Sequence, residues 1–570
     1  MNKQILITDI FWDRIYLHIK LEGENLSLKE FAIATNKNAF LFPVKFNPKN
    51  SSIIINITNI QDRKMLENNI WYIKYKNTNF EHEMAQYEND IQQYNQKLIN
   101  NPNISIEKPW IPLEWNNIPI DISLGYKLKE LDKIYRYSGS AYAYIISFSA
   151  TKRRNDIICS INTTFMMRNS KPHKRYFHIE THSIKKQLKK RLIYFLEKFN
   201  NLIYQIISHI YPKKGKRILF MSETRVPIGG NLKVLDSRIK ERQLDKNFKI
   251  SYHFNKTLEH KRFFIFFIWL KLAFLTAKQD YIFVDDFAPF FKYINLHPKT
   301  KLIQVWHAGV GFKSVGYARF GEKGSPYPYD TPHRKNSYAI VGGEALKEVY
   351  AEVFGINEED CLPYGVLRID GYMNNEKINN FKNHFYSTYP QFKTKKIILF
   401  APTFRGTGQR TAYYPYNELD LDKIYNLCND EYVFVVKMHP FIRENILIDE
   451  KYKDKIFDFT SYPDINELFY VTDILITDYS SNIYEFSLQK KPIIFFAFDQ
   501  NEYELLRSLH RKLDEHAPGK VCHTFDEVIS TIQNQDFKLD KLTEFINENF
   551  ELNSGLSSDR IIDNILLKKK

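Results

Sequence analysis

Ile474-Leu-Ile-Thr-Asp-Tyr-Ser-Ser-Asn-Ile-Tyr-Glu485 is the stretch that decides the fold. An apolar run ends in Thr477, Asp478, Tyr479, Ser480 and Ser481, and helical spacing follows. This is a buried strand opening into the N-terminus of a helix. Unpaired backbone N–H groups, the positive end of the helix dipole and two serine hydroxyls gather there, and such a point holds phosphate without a metal. Similar apolar runs recur upstream at 217–222, 280–285, 300–306 and 338–342, and then at 395–401, 432–437 and 492–497. Helical stretches separate them. Strands alternating with helices predict parallel sheets covered on both faces. The rhythm restarts between 375 and 394, so the expected fold class is α/β, with two doubly wound Rossmann-like domains at 215–375 and 376–570 facing a cleft. A last helix is expected from about Asp540 to Lys570. Ligands of such sheets sit at the carboxyl ends of the strands.

The chain ahead of residue 215 reads differently. Residues 1–175 hold short β-branched or aromatic runs between polar turns, such as Ser52-Ile-Ile-Ile-Asn-Ile57 and Tyr142-Ala-Tyr-Ile-Ile-Ser-Phe148. They predict a β-rich accessory module, a small sandwich. Glu81 to Asn100 is polar, a helix or a long excursion. Residues 176–214 form a basic amphipathic helical linker. Leu188, Leu192, Phe195, Phe199 and Leu202 recur at helical spacing, beside Lys185, Lys186, Lys189, Lys190 and Arg191. Such a helix is either a connector with a solvated cationic face or an element lying on a membrane surface. Phe263 to Ala277 is the most apolar segment; it is shorter than the ~20 residues that span a bilayer, and Lys271 interrupts it. It is expected to be a buried helix, the alternative being a helix lying flat on lipid.

At 570 residues the chain needs more than one core, and its net charge of +15 favours an anionic partner. No nucleic-acid recognition motif accompanies that charge, so a phosphate-rich substrate or an acidic membrane surface is expected and nucleic acid is not. The four cysteines are scattered, which argues against a zinc site and a disulfide framework. The first residues lack the long apolar core of a signal peptide.

The candidate site residues lie at strand ends. His307 precedes Ala308-Gly309, where a substrate can approach the backbone; it is either a general base or the cap of a turn. Lys313 and Arg319 just beyond meet phosphate or face water. Arg405 is either a fork for phosphate oxygens or a solvated surface residue. Lys437 and His439 share a strand face and form a cationic donor pair, unless His439 is a buried structural histidine. Glu485 accepts from ribose hydroxyls or is an exposed helix carboxylate. Asp464-Ile-Asn-Glu467 is a helix-start capping box. No cluster with metal-ligand spacing appears, so a departing diphosphate must be balanced by Arg, Lys, His and helix ends.

Taken in order, His307-Ala-Gly, Ala401-Pro-Thr-Phe-Arg405, Lys437-Met-His-Pro440, Asp464-Ile-Asn-Glu-Leu468, Thr477-Asp-Tyr-Ser-Ser481 and Lys491-Pro-Ile-Ile-Phe-Phe496 resemble the CDP-glycerol glycerophosphotransferase family of teichoic acid synthesis. The resemblance covers about residues 215 to 530. It implies a GT-B architecture, a CDP-activated polyol phosphate as donor, a lipid-linked anionic polymer as acceptor, no cofactor or metal, and a peripheral place on the cytoplasmic face of the membrane. It implies His307 as base for the acceptor hydroxyl, with His439 also catalytic. Arg405, Lys437 and His439 would hold the diphosphate, Thr477, Ser480 and Ser481 the phosphate turn, and Glu485 the ribose. Glycerol-type members usually read His-Gly-Thr-Pro after the tryptophan. His307-Ala-Gly-Val-Gly-Phe-Lys313, with Arg319 following, is more similar to ribitol-phosphate transferases and some capsule enzymes. The expected reaction is transfer of glycerol phosphate or ribitol phosphate from CDP-glycerol or CDP-ribitol, releasing CMP. The alternatives are a GT-B glycosyltransferase using a nucleotide sugar and a non-enzymatic membrane-docked polysaccharide-binding protein.

Overall fold

The structure is a computed structural model. It describes residues 5–36, 38–77, 115–136, 143–153, 156–166, 184–306, 314–321, 331–406, 411–507, 509–551 and 555–568, with a few isolated positions between 89 and 100. The chain divides into two compact units, one of residues 1–178 with 316–331, the other of 179–315 with 332–570.

The named strands of the first unit pair antiparallel. Its strands are β1 (Leu6–Asp13), β2 (Tyr16–Glu22), β3 (Lys29–Ala34), β4 (Leu41–Asn47), β5 (Ser52–Asn56), β6 (Asn69–Asn77), β7 (Asn116–Asn117), β8 (Lys133–Arg136), β9 (Ala143–Arg153) and β10 (Asp156–Met166). They form one sheet in the order β1-β2-β5-β4-β3-β6-β10-β9-β8, with β7 on β6. Strand alternation sets the core: β2 buries Leu17, Ile19 and Leu21 and exposes Lys20 and Glu22. The expected sandwich is instead this single sheet, drawn around one core by the segment after β7. Ile118 N–H donates to Ile73, Ile120 N–H to Ile157, and Pro119 O accepts from Ile7 N–H at 2.8 Å. The first stretch of this unit ends at residue 178, close to the expected 175, but the unit also takes in a later segment. Residues 316–331 belong to this unit, and Tyr317 and Phe320 complete its core, the Phe320 ring lying 4.6 Å from that of Tyr135. Most of the 81–100 segment lies outside the described residues.

The second unit holds two six-stranded parallel sheets, ordered β12-β11-β13-β14-β15-β16 and β19-β18-β17-β20-β21-β22. The first sheet comprises β11 (Arg217–Ser222), β12 (Lys249–Phe254), β13 (Tyr281–Val284), β14 (Lys301–Gln304), β15 (Tyr338–Ile340) and β16 (Cys361–Leu362). The second comprises β17 (Lys396–Phe400), β18 (Tyr432–Val436), β19 (Ile456–Asp458), β20 (Ile474–Thr477), β21 (Ile493–Phe496) and β22 (Lys520–Cys522). Central strands β13, β20 and β21 are buried along their whole length, as continuous apolar runs in a doubly covered sheet require.

The helix Ile184–Ile210 packs beside Arg262–Ala277 in this unit. Tyr204 and Ile207 of the former, and Leu272, Ala273 and Ala277 of the latter, enter the core of the first sheet. The second helix is therefore not wholly buried: Phe264 and Phe267 are 56% and 50% exposed, and Phe195, Leu202 and Ile210 of the first helix are 63%, 55% and 68% exposed. No helix among the described residues is long and apolar enough to cross a membrane.

The C-terminal helix differs from expectation. Leu539–Asn549 packs on the second sheet through Leu542, Phe545 and Ile546. Phe550 is then extended and Gly555 takes φ 79°, so the helix cannot continue. The chain crosses to the first sheet and resumes at Ser557–Ile561, where Asp370 accepts the N–H groups of Ser557 (2.8 Å) and Ser558 (3.0 Å). Arg238 and Arg242 clamp Asp559, and Arg242 also reaches Asp563 at 2.7 Å. Ile561, Ile562, Ile565 and Leu566 fill the core beneath β11 and β13. The last segment thus belongs to the first sheet. Ile562→Ala should lower the unfolding free energy by about 2–5 kcal/mol in denaturant titration, whereas an unpacked terminal helix would show almost no change.

Candidate active site

The carboxyl edge of the second sheet gathers most of the expected residues. β18, β17 and β20 are neighbours there. Arg405 lies in the loop after β17, and its expected use as a phosphate fork gives way to another. Its Nη1 donates to Asp478 Oδ2 at 2.8 Å and to the Thr403 carbonyl at 3.1 Å, while Nε and Nη2 meet the two Asp499 oxygens at 2.5 and 2.9 Å. The rings of Tyr414, Tyr479, Phe498 and Tyr503 surround the guanidinium at 5.2–5.4 Å. Burial opposes its charge, but Asp478 and Asp499 outweigh burial and raise its pKa. Asp478 also accepts Thr403 N–H at 2.8 Å, and Tyr479 OH donates to Asp499 at 3.1 Å. The bidentate fork is engaged inside the protein and holds the loops after β17, β20 and β21 together.

Thr477 is likewise turned inward: it is fully buried and its hydroxyl donates to the Ala401 carbonyl at 2.8 Å. Ser480 and Ser481 are half-buried, Ser480 Oγ accepting Asn482 N–H at 3.3 Å at the start of the helix Asn482–Ser487. Lys437 is buried, and its Nζ donates to Thr460 O at 2.6 Å. Burial depresses its pKa, opposed by Asp458 and Asp464. The His439 ring packs 4.8 Å from both Phe404 and Phe441, and its Nδ1 accepts Phe441 N–H at 3.1 Å. In the neutral ring the proton then sits on Nε2, which makes that atom a donor. Asp464 caps the helix Ile465–Phe469 by accepting Asn466 N–H at 2.9 Å.

Glu485 is not an exposed helix carboxylate. It is buried, its Oε1 accepts Arg368 Nη1 at 3.0 Å, and burial raises its pKa against the pull of Arg368. Arg319 lies in the 3-10 helix Gly316–Arg319 of the first unit. His307 and Lys313 lie outside the described residues.

Sequence reasoning missed what stands around the position just before His307. Trp306 has φ 33°, a backbone region that L residues avoid. Its ring is wedged against those of His333 (5.7 Å) and Phe354 (5.3 Å). Asn231, fully buried, donates from Nδ2 to the Val305 carbonyl at 2.9 Å and to the Trp306 carbonyl, and its Oδ1 accepts Arg368 N–H at 3.0 Å. Arg368 in turn grips Glu485. A polar line therefore joins the strand end before His307 to the short helix after Ser481. A second tie between the halves is the buried pair of His510 Nε2 and Glu352 Oε2 at 3.0 Å. The only sequence signal for Asn231 is Gly229-Gly230 after a strand, since Gly230 takes φ 54°. Among the described residues no group of three His, Cys, Asp or Glu side chains is placed to hold a metal ion.

The arrangement offers a lysine ammonium, an imidazole donor and two serine hydroxyls at the end of a parallel sheet, on a rigid ion-paired base. Such a set can hold a diphosphate.

A family model described as CDP-Glycerol:Poly(glycerophosphate) glycerophosphotransferase matches residues 203–567. The teichoic acid ribitol-phosphate polymerase TarL of Staphylococcus aureus (strain NCTC 8325 / PS 47) is 30% identical over 580 residues, covering 99% of each chain. The teichoic acid poly(ribitol-phosphate) polymerase of Bacillus spizizenii (strain ATCC 23059 / NRRL B-14472 / W23) is 35% identical over 379 residues, which cover 66% of this chain and 61% of that one. The solved structure of the wall teichoic acid polymerase TagF has a similar fold, with a TM-score of 0.50 at 21% identity over 67% of this chain and 96% of that chain.

Two outcomes check the site's construction. Arg405→Met should cost about 3–5 kcal/mol in denaturant titration, because it strands two carboxylates; a side chain serving only as a phosphate ligand would leave stability unchanged. His333 is enclosed by the rings of Phe287, Trp306 and Phe354, and burial pushes its pKa down from 6.5 to about 4. Below pH 6.5 the unfolded chain takes up a proton that the folded chain refuses, so stability falls with acidification until about pH 4, by about 2–3 kcal/mol. His333→Phe should remove that part of the slope in unfolding curves recorded at pH 7 and about pH 4.5.

Proposed function

Because the chain belongs to the CDP-glycerol:poly(glycerophosphate) glycerophosphotransferase family and is a teichoic acid polyol-phosphate transferase, we propose that its donor is CDP-ribitol and its product a poly(ribitol phosphate). One observation carries the choice of polyol: the likeness to the staphylococcal ribitol-phosphate polymerase runs through the β-rich unit as well as the parallel sheets.

In this reading the terminal hydroxyl of the acceptor attacks the phosphorus that bears the polyol. The new O–P bond forms as the bond to the bridging oxygen breaks, and CMP leaves with that oxygen. His307 takes the hydroxyl proton. Lys437, the Nε2–H of His439 and the turn at Ser480 and Ser481 oppose the charge growing on the leaving group. Arg405 acts beneath them by fixing Asp478 at the root of that turn. No metal enters the proposal. Asn231 holds the Val305 carbonyl, and one connected set of hydrogen bonds runs from there through Arg368 to Glu485 in the short helix after Ser481.

The acceptor is proposed to be a lipid-linked polymer at the cytoplasmic face of the membrane, where the enzyme sits peripherally. The exposed Phe195, Leu202, Phe264 and Phe267 support this, together with Lys261 and Lys271 in the same stretch and the net charge of +15.

The test is a donor panel of CDP-ribitol, CDP-glycerol and UDP-sugars with CMP release as readout. CDP-ribitol is expected to turn over at least about tenfold faster than CDP-glycerol, a difference of only about 1.4 kcal/mol; preference for a UDP-sugar would sink the reading. His307→Ala should bind CDP-ribitol nearly as tightly as the unaltered protein and lose turnover. Equal loss of binding and rate would remove it as the base.

A further inference from the structure

A groove of about 710 Å³ lies along the opposite edge of the first sheet, at the amino ends of β11, β13, β14 and β15. Lys213 and Lys214 enter it ahead of β11, Lys299 and Lys301 at the start of β14, and Lys568 after the last helical turn. None of these five has a carboxylate ion-pair partner among the described residues. The one acid in the lining, Asp280, is turned to the backbone, its Oδ2 accepting the N–H groups of Lys216 (2.9 Å) and Arg217 (3.0 Å). Lys213 Nζ donates to the Ala277 and Gln279 carbonyls at 2.5 and 2.9 Å, which satisfies hydrogens but supplies no counter-charge. Lys301 lies 5.2 Å over the Tyr338 ring.

Two groups beside the groove are shifted chiefly by burial. Burial lowers the Lys213 pKa to about 8, with Arg217 adding to the shift and Asp280 opposing it. Burial also lowers His297, and Lys213, His209 and Lys299 push it the same way. The groove is elongated. Strands spaced by about 4.8 Å put the β11 and β14 lysines about 10 Å apart, and the lining continues past β15. A single phosphate occupies a fraction of that length, whereas a chain with a phosphate in every repeat fits along it. Lysines are mobile point charges that hold successive phosphates without fixing a register, so a bound chain can slide. With strands of three to six residues, the groove lies about 10–20 Å from the carboxyl ends of its own sheet, where β14 runs on to Val305 and Trp306.

We propose that this groove is a second, non-catalytic binding site for the polyol-phosphate chain, which retains the polymer while its end is extended at the carboxyl edge. The inference rests on the polymerase reading above.

The test is the triple charge reversal Lys214→Glu/Lys299→Glu/Lys301→Glu in the full chain. Three measurements are made at about 0.15 M salt, where exposed charges are screened beyond about 8 Å: affinity for purified poly(ribitol phosphate), product length with CDP-ribitol, and the rate of the first addition to a single-repeat acceptor. The variant is expected to bind polymer about tenfold more weakly and to make shorter products, with the first addition within about twofold of the unaltered protein. Unchanged polymer affinity and length would overturn the groove, as would equal loss of the first addition. Competition by inorganic phosphate as effective, per phosphate, as by polymer would also overturn it, marking a single-anion site. If the unaltered protein turns over neither CDP-polyol, the polymerase reading fails instead, while the affinity measurement still judges the groove.

Discussion

A charged arginine that is almost wholly buried carries a heavy desolvation cost, and in this chain Arg405 is tolerated only because Asp478 and Asp499 meet it from two directions. That requirement organises the second sheet. Asp478 follows β20 and Asp499 lies three residues beyond β21, so neutralising one guanidinium fixes three loop origins at once. The four aromatic rings around it exclude water and stiffen the arrangement. The turn at Ser480 and Ser481 inherits its position from Asp478, and the His439 ring leans on Phe404, one residue before Arg405.

The two halves are joined by a different chemistry. Buried Asn231, half-buried Arg368 and buried Glu485 form a line of donors and acceptors, each with a partner on the next element. Movement of one half against the other must break at least one of these bonds or carry the strand end at Trp306 with it. The unfavourable φ of Trp306 persists because its ring and both adjacent carbonyls are held. The C-terminal crossing adds a mechanical constraint, since residues after Gly555 are bound to the first sheet while Leu539–Asn549 is bound to the second.

What the sequence disclosed follows the same physics. The eight strands of the parallel sheets that it revealed are the interior ones, whose two buried faces demand unbroken apolar runs. The four that escaped, β12, β16, β19 and β22, are the sheet edges. They are short or half polar, as in Lys249-Ile-Ser-Tyr-His-Phe254, and carry no such run. The break near residue 550 was hidden because Phe550 suits a helix by polarity, and only its extended backbone ends one. At the site, residue types at strand ends were legible, but partners were not. Nothing local to Arg405 says that Asp499 faces it from 94 residues away, or that Glu485 turns from the surface toward Arg368. Lys437, His439, Ser480 and Ser481 remain together on one edge, as their spacing after successive strands implied.

The excursion at 316–331 has a practical corollary for dissecting the molecule. The chain passes between its two units three times, at 178/179, 315/316 and 331/332, so no single cut separates them. A fragment beginning near residue 179 would still contain Tyr317 and Phe320, stripped of the sheet that shelters them. Bare aromatics of that size on a soluble fragment favour self-association, and a faithful catalytic truncation would have to replace the insert with a short polar bridge rather than simply remove the N-terminal strands.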